Sequence, residues 1–282
     1  LYLSVLEGRG IGALIAHAGM GKTTLLRYLA SRLQGKAVTA FLSHPYRGSR
    51  DLMRDVLDRL GLQAEDSEFH QMTRLQGYLR NLMQRRTKVV LLFDECQALR
   101  FEALEQIRLL SNLRSSNMNM LEIVVAGQEE LEEELRLEEH EALRQRISVL
   151  ATIRPFDEAE VARYIERRLR LAGREKPLFD APSIGELARI SQGVPRNINH
   201  LAYKAMALAW ADGEAVIGVD TVVEAARDLV GAEGRNEAAS RDEDDERTAY
   251  TAVERRAERN PGMVRRTGAK AARPLGVVAE VS

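Results

Sequence analysis

The sequence predicts an α/β fold in which a parallel five-stranded sheet is flanked by helices and followed by a small all-helical domain and a charged tail. Short apolar, β-branched runs alternate with longer segments whose apolar residues recur at helical spacing. This alternation is typical of a parallel sheet covered by helices on both faces. After residue 156 the strand-like runs stop and helical segments continue alone, which predicts the second domain.

Five runs are predicted to form the strands of the sheet. They are IGALIAH (residues 11–17), AVTAFLS (37–43), KVVLLFD (88–94), LEIVVAG (121–127) and SVLATIRPF (148–156). The segments between them show helical spacing, as in Leu104, Ile107 and Leu110. Pro155 marks the exit from the fifth strand.

Four helices are predicted after the sheet. The first is expected to begin at an N-cap, Asp157, and to end at Gly173, and the third has Pro195 in its first turn. The second is SIGELARIS (183–191) and the fourth is VDTVVEAARDLVG (219–231). The predicted parts are therefore a core over residues 1–156, a helical lid domain over 157–231 and a charged, disordered tail over 232–282.

The composition argues against several classes of protein. A formal net charge of −1 gives no overall electrostatic case for binding nucleic acid or an acidic membrane surface. The single cysteine, Cys96, excludes an internal disulfide framework and a multi-cysteine metal site. No apolar run reaches the roughly 18 residues that span a bilayer, and the chain starts without a basic and apolar leader. We therefore expect a cytoplasmic protein with no membrane span in this chain.

The stretch AHAGMGKTTLL, residues 16–26, predicts a phosphate-binding loop because it directly follows a strand and opens a helix. Glycines let successive backbone N–H groups face one concavity, and the helix N-terminus adds partial positive charge. Lys22 is expected to reach the β- and γ-phosphates and Thr23 to ligate Mg²⁺. Ala16 replaces the first glycine of G-x-x-x-x-G-K-[ST], which is tolerable if its φ is negative. The expected nucleotide-binding residues are Ala18, Gly19, Met20, Gly21, Lys22, Thr23 and Thr24.

The stretch VVLLFDECQAL supplies an acidic pair at the end of a predicted strand. Ligands of open parallel sheets bind at the carboxyl edge, where Asp94 and Glu95 are expected to lie. Asp94 is predicted to hold Mg²⁺, usually through water, and Glu95 to polarise the attacking water. The loop and the acidic pair together predict ATP and Mg²⁺ as cofactors.

Six segments, taken in order, resemble one family. They are GMGKTTLLRYL, VVLLFDECQAL, LEQIRLLSNLRSS, IVVAGQEEL, LRQRISVLATIRPF and SQGVPRNINHLAYKAMALAWADG. Together they resemble the AAA+ P-loop ATPases of the ExeA/GspA type, which are associated with bacterial general (type II) secretion and related envelope assembly systems. The resemblance runs from about residue 11 to residue 231, and it implies an ATPase whose helical lid moves during the ATP cycle.

The resemblance also implies roles for residues outside the loop and the acidic pair. Gln128 matches the polar sensor 1 residue, which contacts the γ-phosphate and positions water. Arg196, in GVPRN, matches the sensor 2 arginine of the lid. Arg146, with Arg144 as the alternative, matches the arginine finger, which acts on the nucleotide of a neighbouring subunit and is catalytic there. Activity is then expected to depend on a nucleotide-dependent homo-oligomer, such as a hexamer or a filament.

The expected function is Mg-dependent ATP binding and hydrolysis coupled to assembly or remodelling of a secretion or envelope complex, with partners at the inner membrane. The alternative is a DNA-binding AAA+ ATPase of the transposition-targeting (TniB/MuB) type, for which the basic segments 168–176 and 265–273 are candidate phosphate contacts. A third reading is a signalling switch in which ATP occupancy controls a partner. The intact Glu95 argues against a purely inert nucleotide binder.

Overall fold

A computed structural model describes residues 1–46, 48–63, 67–115 and 118–233, with side chains up to residue 227. The chain divides into two compact units, of which the first is Leu1–Pro155 and the second begins at Phe156. The domain limits read from the sequence stay predictions. The predicted tail, apart from its first two residues, and the basic segment 265–273 lie outside the described residues.

The first unit is built on a parallel five-stranded sheet, as predicted. Its strands, in the order β2-β3-β6-β1-β7, are paired in parallel throughout. A separate antiparallel pair, β4 and β5, was not predicted, because two residues a strand show no periodicity. The strands are β1 (Ile11–Ala16), β2 (Ala37–Leu42), β3 (Lys88–Phe93), β4 (Arg114–Ser115), β5 (Met118–Asn119), β6 (Glu122–Gly127) and β7 (Ile147–Ile153).

Helices cover both faces of this sheet. On one face Val5 and Leu26 pack against Leu92 and Val124, and on the other Ile107 and Leu131 belong to the larger apolar cluster. The helices of the first unit are α1 (Tyr2–Glu7), α2 (Lys22–Leu33), α3 (Ser49–Arg59), α4 (Glu68–Gln84), α5 (Phe101–Ser111), α6 (Glu129–Arg136) and α7 (Glu141–Arg144). Short 3-10 helices lie at Cys96–Ala98 and Glu138–His140. Within the described ranges, no helix combines the length and the hydropathy needed to cross a bilayer.

Lys88 and Glu122, at the amino ends of their strands, hold α1 and the segment that follows it. Lys88 Nζ donates to the backbone oxygens of Val5 at 3.0 Å and Leu6 at 2.6 Å, which caps the helix with a cation. Glu122, only 3% exposed, accepts from the backbone N–H of Gly10 at 2.7 Å. Burial raises the pKa of the Glu122 carboxyl to about 7, and the Gly10 N–H and Lys88 offset part of that rise.

The second unit is a helical bundle with its own apolar core, which includes Val161, Leu187, Leu201 and Val222. Its helices are α8 (Glu158–Leu171), α9 (Ala181–Ser191), α10 (Pro195–Asp212) and α11 (Val219–Glu233). The predicted N-cap is confirmed, since Asp157 and Glu160 form a reciprocal capping box. One isolated parallel bridge between Phe179 and Ile217 is the exception to the all-helical prediction.

Candidate active site

The segment 17–21 connects β1 directly to α2 and has the backbone of a phosphate-binding loop. Gly19 and Gly21 adopt left-handed conformations with φ of 77° and 87°. A Cβ at Gly21 would meet no atom within 4 Å, so the backbone conformation, not crowding, favours glycine there. Ala16 ends β1 in extended conformation, which meets the condition set for its replacement of glycine. Ala18 and Thr24 are exposed and Met20 is buried.

Lys22 is the first residue of α2, and its charge is buried without a carboxylate. The residue is 5% exposed, and its Nζ donates to the carbonyl oxygens of Ala16 at 3.0 Å and His17 at 3.3 Å. Among the described residues, no acidic side chain pairs with it. A buried ammonium held only by neutral acceptors favours an anion as its partner. The first N–H groups of α2, which have no intrahelical acceptor, lie beside it.

Thr23 and Asp94 come together although 71 positions separate them in the sequence. Thr23 Oγ1 donates to Asp94 Oδ2 at 2.5 Å, and Asp94 Oδ1 accepts from the backbone N–H of Glu95 at 3.0 Å. Asp94 is 4% exposed, and its own N–H donates to Leu42 at 2.8 Å, which fixes the end of β3. A hydroxyl and a carboxylate in contact are the hard oxygen donors that Mg²⁺ prefers, so the two residues fit this ion.

Glu95 has a left-handed backbone with φ of 54° and ψ of 39°. This conformation is uncommon for a residue with a Cβ and costs on the order of 1 kcal/mol or more. Its carboxylate is exposed and accepts from Gln97 Nε2 at 2.5 Å. Glu95 thus combines a strained backbone with an exposed carboxylate directly after β3.

Gln128 lies at the same edge as the loop and the acidic pair. It follows β6, which is placed between β3 and β1, and it is the N-cap residue of α6. Its backbone N–H donates to Gln97 Oε1 at 3.1 Å. Sequence reasoning missed Gln97, which touches both Glu95 and Gln128; the only indication was a polar amide two residues after the acidic pair.

Cys96, between Glu95 and Gln97, has no chemistry to offer this site. Its side chain is fully buried, and its Sγ contacts the carbonyl oxygen of Phe93 at 3.6 Å. Burial raises the pKa of the thiol, so the reactive thiolate is suppressed.

Arg144 and Arg146 do not lie at this edge. Arg146 precedes β7 and lines a cavity of about 500 Å³ at the amino ends of the strands. Within the described ranges, no hydrogen bond or ion pair involves its side chain. Arg144, by contrast, donates from Nη1 to the carbonyl oxygens of Leu135 at 3.4 Å and Arg136 at 3.0 Å. A single copy therefore does not bring either arginine to its own Lys22 and Glu95.

The amino-edge cavity is strongly basic. Arg9, Arg108 and Arg114 line it together with Arg146, and no acidic side chain is among its lining residues. Arg108 is engaged by Glu105 at 2.6 Å and Arg9 by Glu7 at 2.6 Å. The guanidinium of Arg146 is thus the one among these four with no partner in the described part of the chain.

Arg196 belongs to the second unit, where it lies in the first turn of α10 with an exposed side chain. The turn before it has a structural requirement for glycine. Gly193 has φ of 69°, and a Cβ there would lie 2.1 Å from the carbonyl oxygen of Phe156. The backbone N–H of Phe156 donates to the Gly193 oxygen at 3.0 Å. These contacts explain the glycine of the Gly-Val-Pro sequence, whereas they assign no role to Arg196.

Residues 5–135 match the family described as the AAA domain. General secretion pathway protein A of Aeromonas hydrophila is 33% identical over 210 residues, which cover 73% of this chain and 38% of that protein. The chain thus spans well under half the length of this relative.

Solved structures share the fold at low identity. The ORC2 protein of Aeropyrum pernix, in ADPNP-ADP complexes, has a TM-score of 0.60 at 16% identity, covering 80% of this chain and 64% of that one. Cdc6p of Pyrobaculum aerophilum has a TM-score of 0.58 at 18% identity, covering 77% and 62%. The RuvB Holliday junction branch migration motor of Thermotoga maritima has a TM-score of 0.53 at 17% identity, covering 80% of this chain and 66% of that one.

Proposed function

Because residues 5–135 match the AAA domain family and the chain is similar to general secretion pathway protein A, we propose that it binds Mg-ATP at the carboxyl edge of its sheet and hydrolyses it there. One observation carries the proposal. Thr23, which follows Lys22 in the loop, donates a hydrogen bond to Asp94 of the acidic pair, although 71 positions of sequence separate the two residues. A buried cation, two hard oxygen donors and an exposed carboxylate then share one site.

Each residue has a chemical task in this proposal. The loop N–H groups and Lys22 bind the β- and γ-phosphates, and Thr23 and Asp94 hold the metal ion. Mg²⁺, when bound, neutralises charge that develops on the transferred phosphoryl group. Glu95 orients a water molecule and accepts its proton, and Gln128 positions the same water from the end of β6.

We further propose that Arg146, not Arg144, acts on the nucleotide of a second copy. Arg146 lies at the amino edge of the sheet, opposite its own phosphate loop, so it can reach only another molecule's nucleotide. Its guanidinium is unpaired within the described ranges, whereas Arg144 is held by two carbonyl oxygens at the end of α6. Self-association would thus complete the site. The sensor 2 role of Arg196 stays a prediction.

The biological process proposed is the assembly or remodelling of a secretion or envelope complex, with the protein acting peripherally at the inner membrane. Its support is the 33% identity to general secretion pathway protein A, of which this chain spans 38%. The partner would be moved or rearranged by nucleotide-dependent motion of the helical unit.

One observation favours a second candidate function, the binding of duplex DNA. The segment 168–176 is basic and exposed at the end of α8. Part of its charge is already used, since Arg170 pairs with Glu166 at 2.6 Å and Arg168 lies over the Tyr164 ring. The DNA proposal is therefore the weaker of the two.

The test uses phosphate release and light scattering on the wild type and on Glu95→Gln, with Mg-ATP and with or without duplex DNA. The proposal expects release by the wild type, loss of release in Glu95→Gln, and ATP-driven assemblies of the variant that ignore DNA. Assemblies that form only with DNA would support the second function, and the absence of phosphate release by the wild type would refute the ATPase proposal.

A further inference from the structure

A side-chain amide bridges two parts of the candidate site. Gln97, in the 3-10 helix after β3, donates from Nε2 to the carboxylate of Glu95 at 2.5 Å and accepts at Oε1 from the backbone N–H of Gln128 at 3.1 Å. The amide nitrogen and oxygen of Gln97 therefore each have a protein partner. The proposed roles of these partners, Glu95 and Gln128, depend on their positions.

The bridge works in only one orientation of the amide. With Gln97 reversed, Oε1 would face the carboxylate oxygens of Glu95 and the NH₂ group would face the N–H of Gln128, so both contacts would be repulsive. A glutamate at this position could still accept from Gln128 but would place a second carboxylate against Glu95. The arrangement therefore requires a glutamine amide specifically.

The backbone around the bridge leaves room for it. A Cβ at Gly127 would lie 3.2 Å from Gln97 Oε1 and 2.6 Å from a methyl carbon of Leu131. The end of β6 therefore accepts the amide and the first turn of α6 only because residue 127 has no side chain. Since Glu95 has a strained left-handed backbone, its carboxylate also gains from an external anchor.

We propose that Gln97 is a positioning residue that fixes the Glu95 carboxylate relative to the end of β6. A displacement of Gln128 would then also displace the Glu95 carboxylate, which activates water. This inference rests on the proposed ATPase function. Contact of Gln128 with the γ-phosphate would thereby control whether the Glu95 carboxylate is positioned to activate water.

The experiment compares Gln97→Met, which keeps the volume and removes both hydrogen bonds, with Gln97→Glu, which adds repulsion. We expect kcat to fall by roughly tenfold to a hundredfold in Gln97→Met and further in Gln97→Glu, in the range seen when a supporting hydrogen bond to a catalytic group is lost. The Kd of a fluorescent ATP analogue should stay within about twofold, because the hydrogen bonds of Gln97 go to Glu95 and to the Gln128 backbone and not to the phosphate loop. Gln84→Met, at an exposed position near the end of α4, is the matched control.

A double-mutant cycle separates positioning from a merely structural role. In a Glu95→Gln background, Gln97→Met should cause no further loss of residual turnover, because the group it positions is already disabled. Equal additional losses in both backgrounds, or a wild-type kcat in Gln97→Met, would overturn the inference. If the wild-type protein itself releases no phosphate, the proposed function fails before this comparison begins, so the two failures are distinguishable.

Discussion

Lys22 is a single residue whose buried positive charge favours the binding of an anion. Its ammonium is buried and hydrogen-bonded only to the carbonyl oxygens of Ala16 and His17. Desolvation without an opposing charge costs stability, and that cost is recovered when an anion binds. The free protein should thus gain stability when the charge is removed, while the ability to bind phosphate is lost.

We predict that Lys22→Met has a thermal midpoint equal to or above that of the wild type without nucleotide. Adding Mg-ATP should raise the midpoint of the wild type by several degrees, through preferential binding to the native state, and leave the variant unchanged. Differential scanning fluorimetry makes the measurement, with Lys176→Met, at an exposed site, as the control. An equal nucleotide shift in wild type and Lys22→Met would contradict the role of Lys22.

Some residues of the candidate site could be predicted from the sequence, and Gln97 could not. The phosphate loop was predictable because all its residues are neighbours in the chain and the chemistry requires that spacing. Asp94 and Glu95 were predictable because a strand must carry them to the edge where ligands bind. Gln97 was not predictable, because its role depends on contact with the Gln128 backbone 31 positions away, which no local pattern records.

At the scale of elements, the strands were predicted well and the smallest elements were missed. Each of the five long strands begins and ends close to its apolar run. The central strands β3, β6 and β1 are almost continuously apolar because they are buried on both faces, whereas the edge strands β2 and β7 are partly exposed. The helix α1 has six residues, too few for a periodic pattern, and depends on distant partners. Its carbonyl ends are held by Lys88, which is 82 positions from Leu6 in the sequence.

We predict that the buried Glu122, which accepts from the Gly10 N–H after α1, makes stability depend on pH. Its pKa is raised from the usual 4.5 to about 7, so the native state binds the proton more tightly than the unfolded chain. The contribution of Glu122 to stability should then fall as pH rises from about 4.5 to about 7, by at most about 3 kcal/mol, and stay lower above that. Glu122→Gln, which imitates the protonated acid, should match the wild type near pH 4 and exceed it near pH 8.

Urea unfolding at both pH values tests this expectation, with the exposed Glu68→Gln as control. Lys88 keeps its two backbone acceptors in Glu122→Gln, so its charge is not left without hydrogen bonds. A stability difference between wild type and Glu122→Gln that does not change with pH would be evidence against the buried carboxyl as its source.

The turn between α9 and α10 gives a second prediction at this scale. Gly193→Ala would place a Cβ 2.1 Å from the Phe156 oxygen, so the backbone must shift, whereas at Gly173 no atom lies within 4 Å of a Cβ. Both residues have positive φ. Gly173→Ala should therefore cost only the conformational strain, about 1–2 kcal/mol, and Gly193→Ala should cost roughly 1–3 kcal/mol more. Equal losses on urea unfolding would refute the steric argument.

At the scale of the whole molecule, the proposed arginine contact makes turnover a property of the assembly. We predict that Arg146→Ala lowers kcat by at least about a hundredfold without changing nucleotide affinity. Arg144→Ala, the matched control, should keep most of its activity, because Arg144 is bound to backbone oxygens of its own chain.

Mixing two inactive variants provides the decisive measurement. Glu95→Gln keeps Arg146 but cannot activate water, and Arg146→Ala keeps Glu95 but offers no arginine to a neighbour. In an equal mixture, about a quarter of all sites would have an intact Glu95 and a neighbour's Arg146, so phosphate release should return to about that fraction of wild type. No recovery in mixed assemblies that form normally would exclude the contribution from a second copy.

The strand direction of the sheet sets one more property of such an assembly. With Lys22 and Glu95 at the carboxyl edge and Arg146 at the amino edge, every copy has two unlike ends. Stacking them head to tail gives a polar array in which each junction is equivalent, but an open array has one terminal nucleotide with no arginine beside it. That terminal copy would retain its ATP while the interior copies hydrolyse theirs. Closure into a ring, or growth at one end, would therefore set the fraction of bound ATP that the assembly hydrolyses.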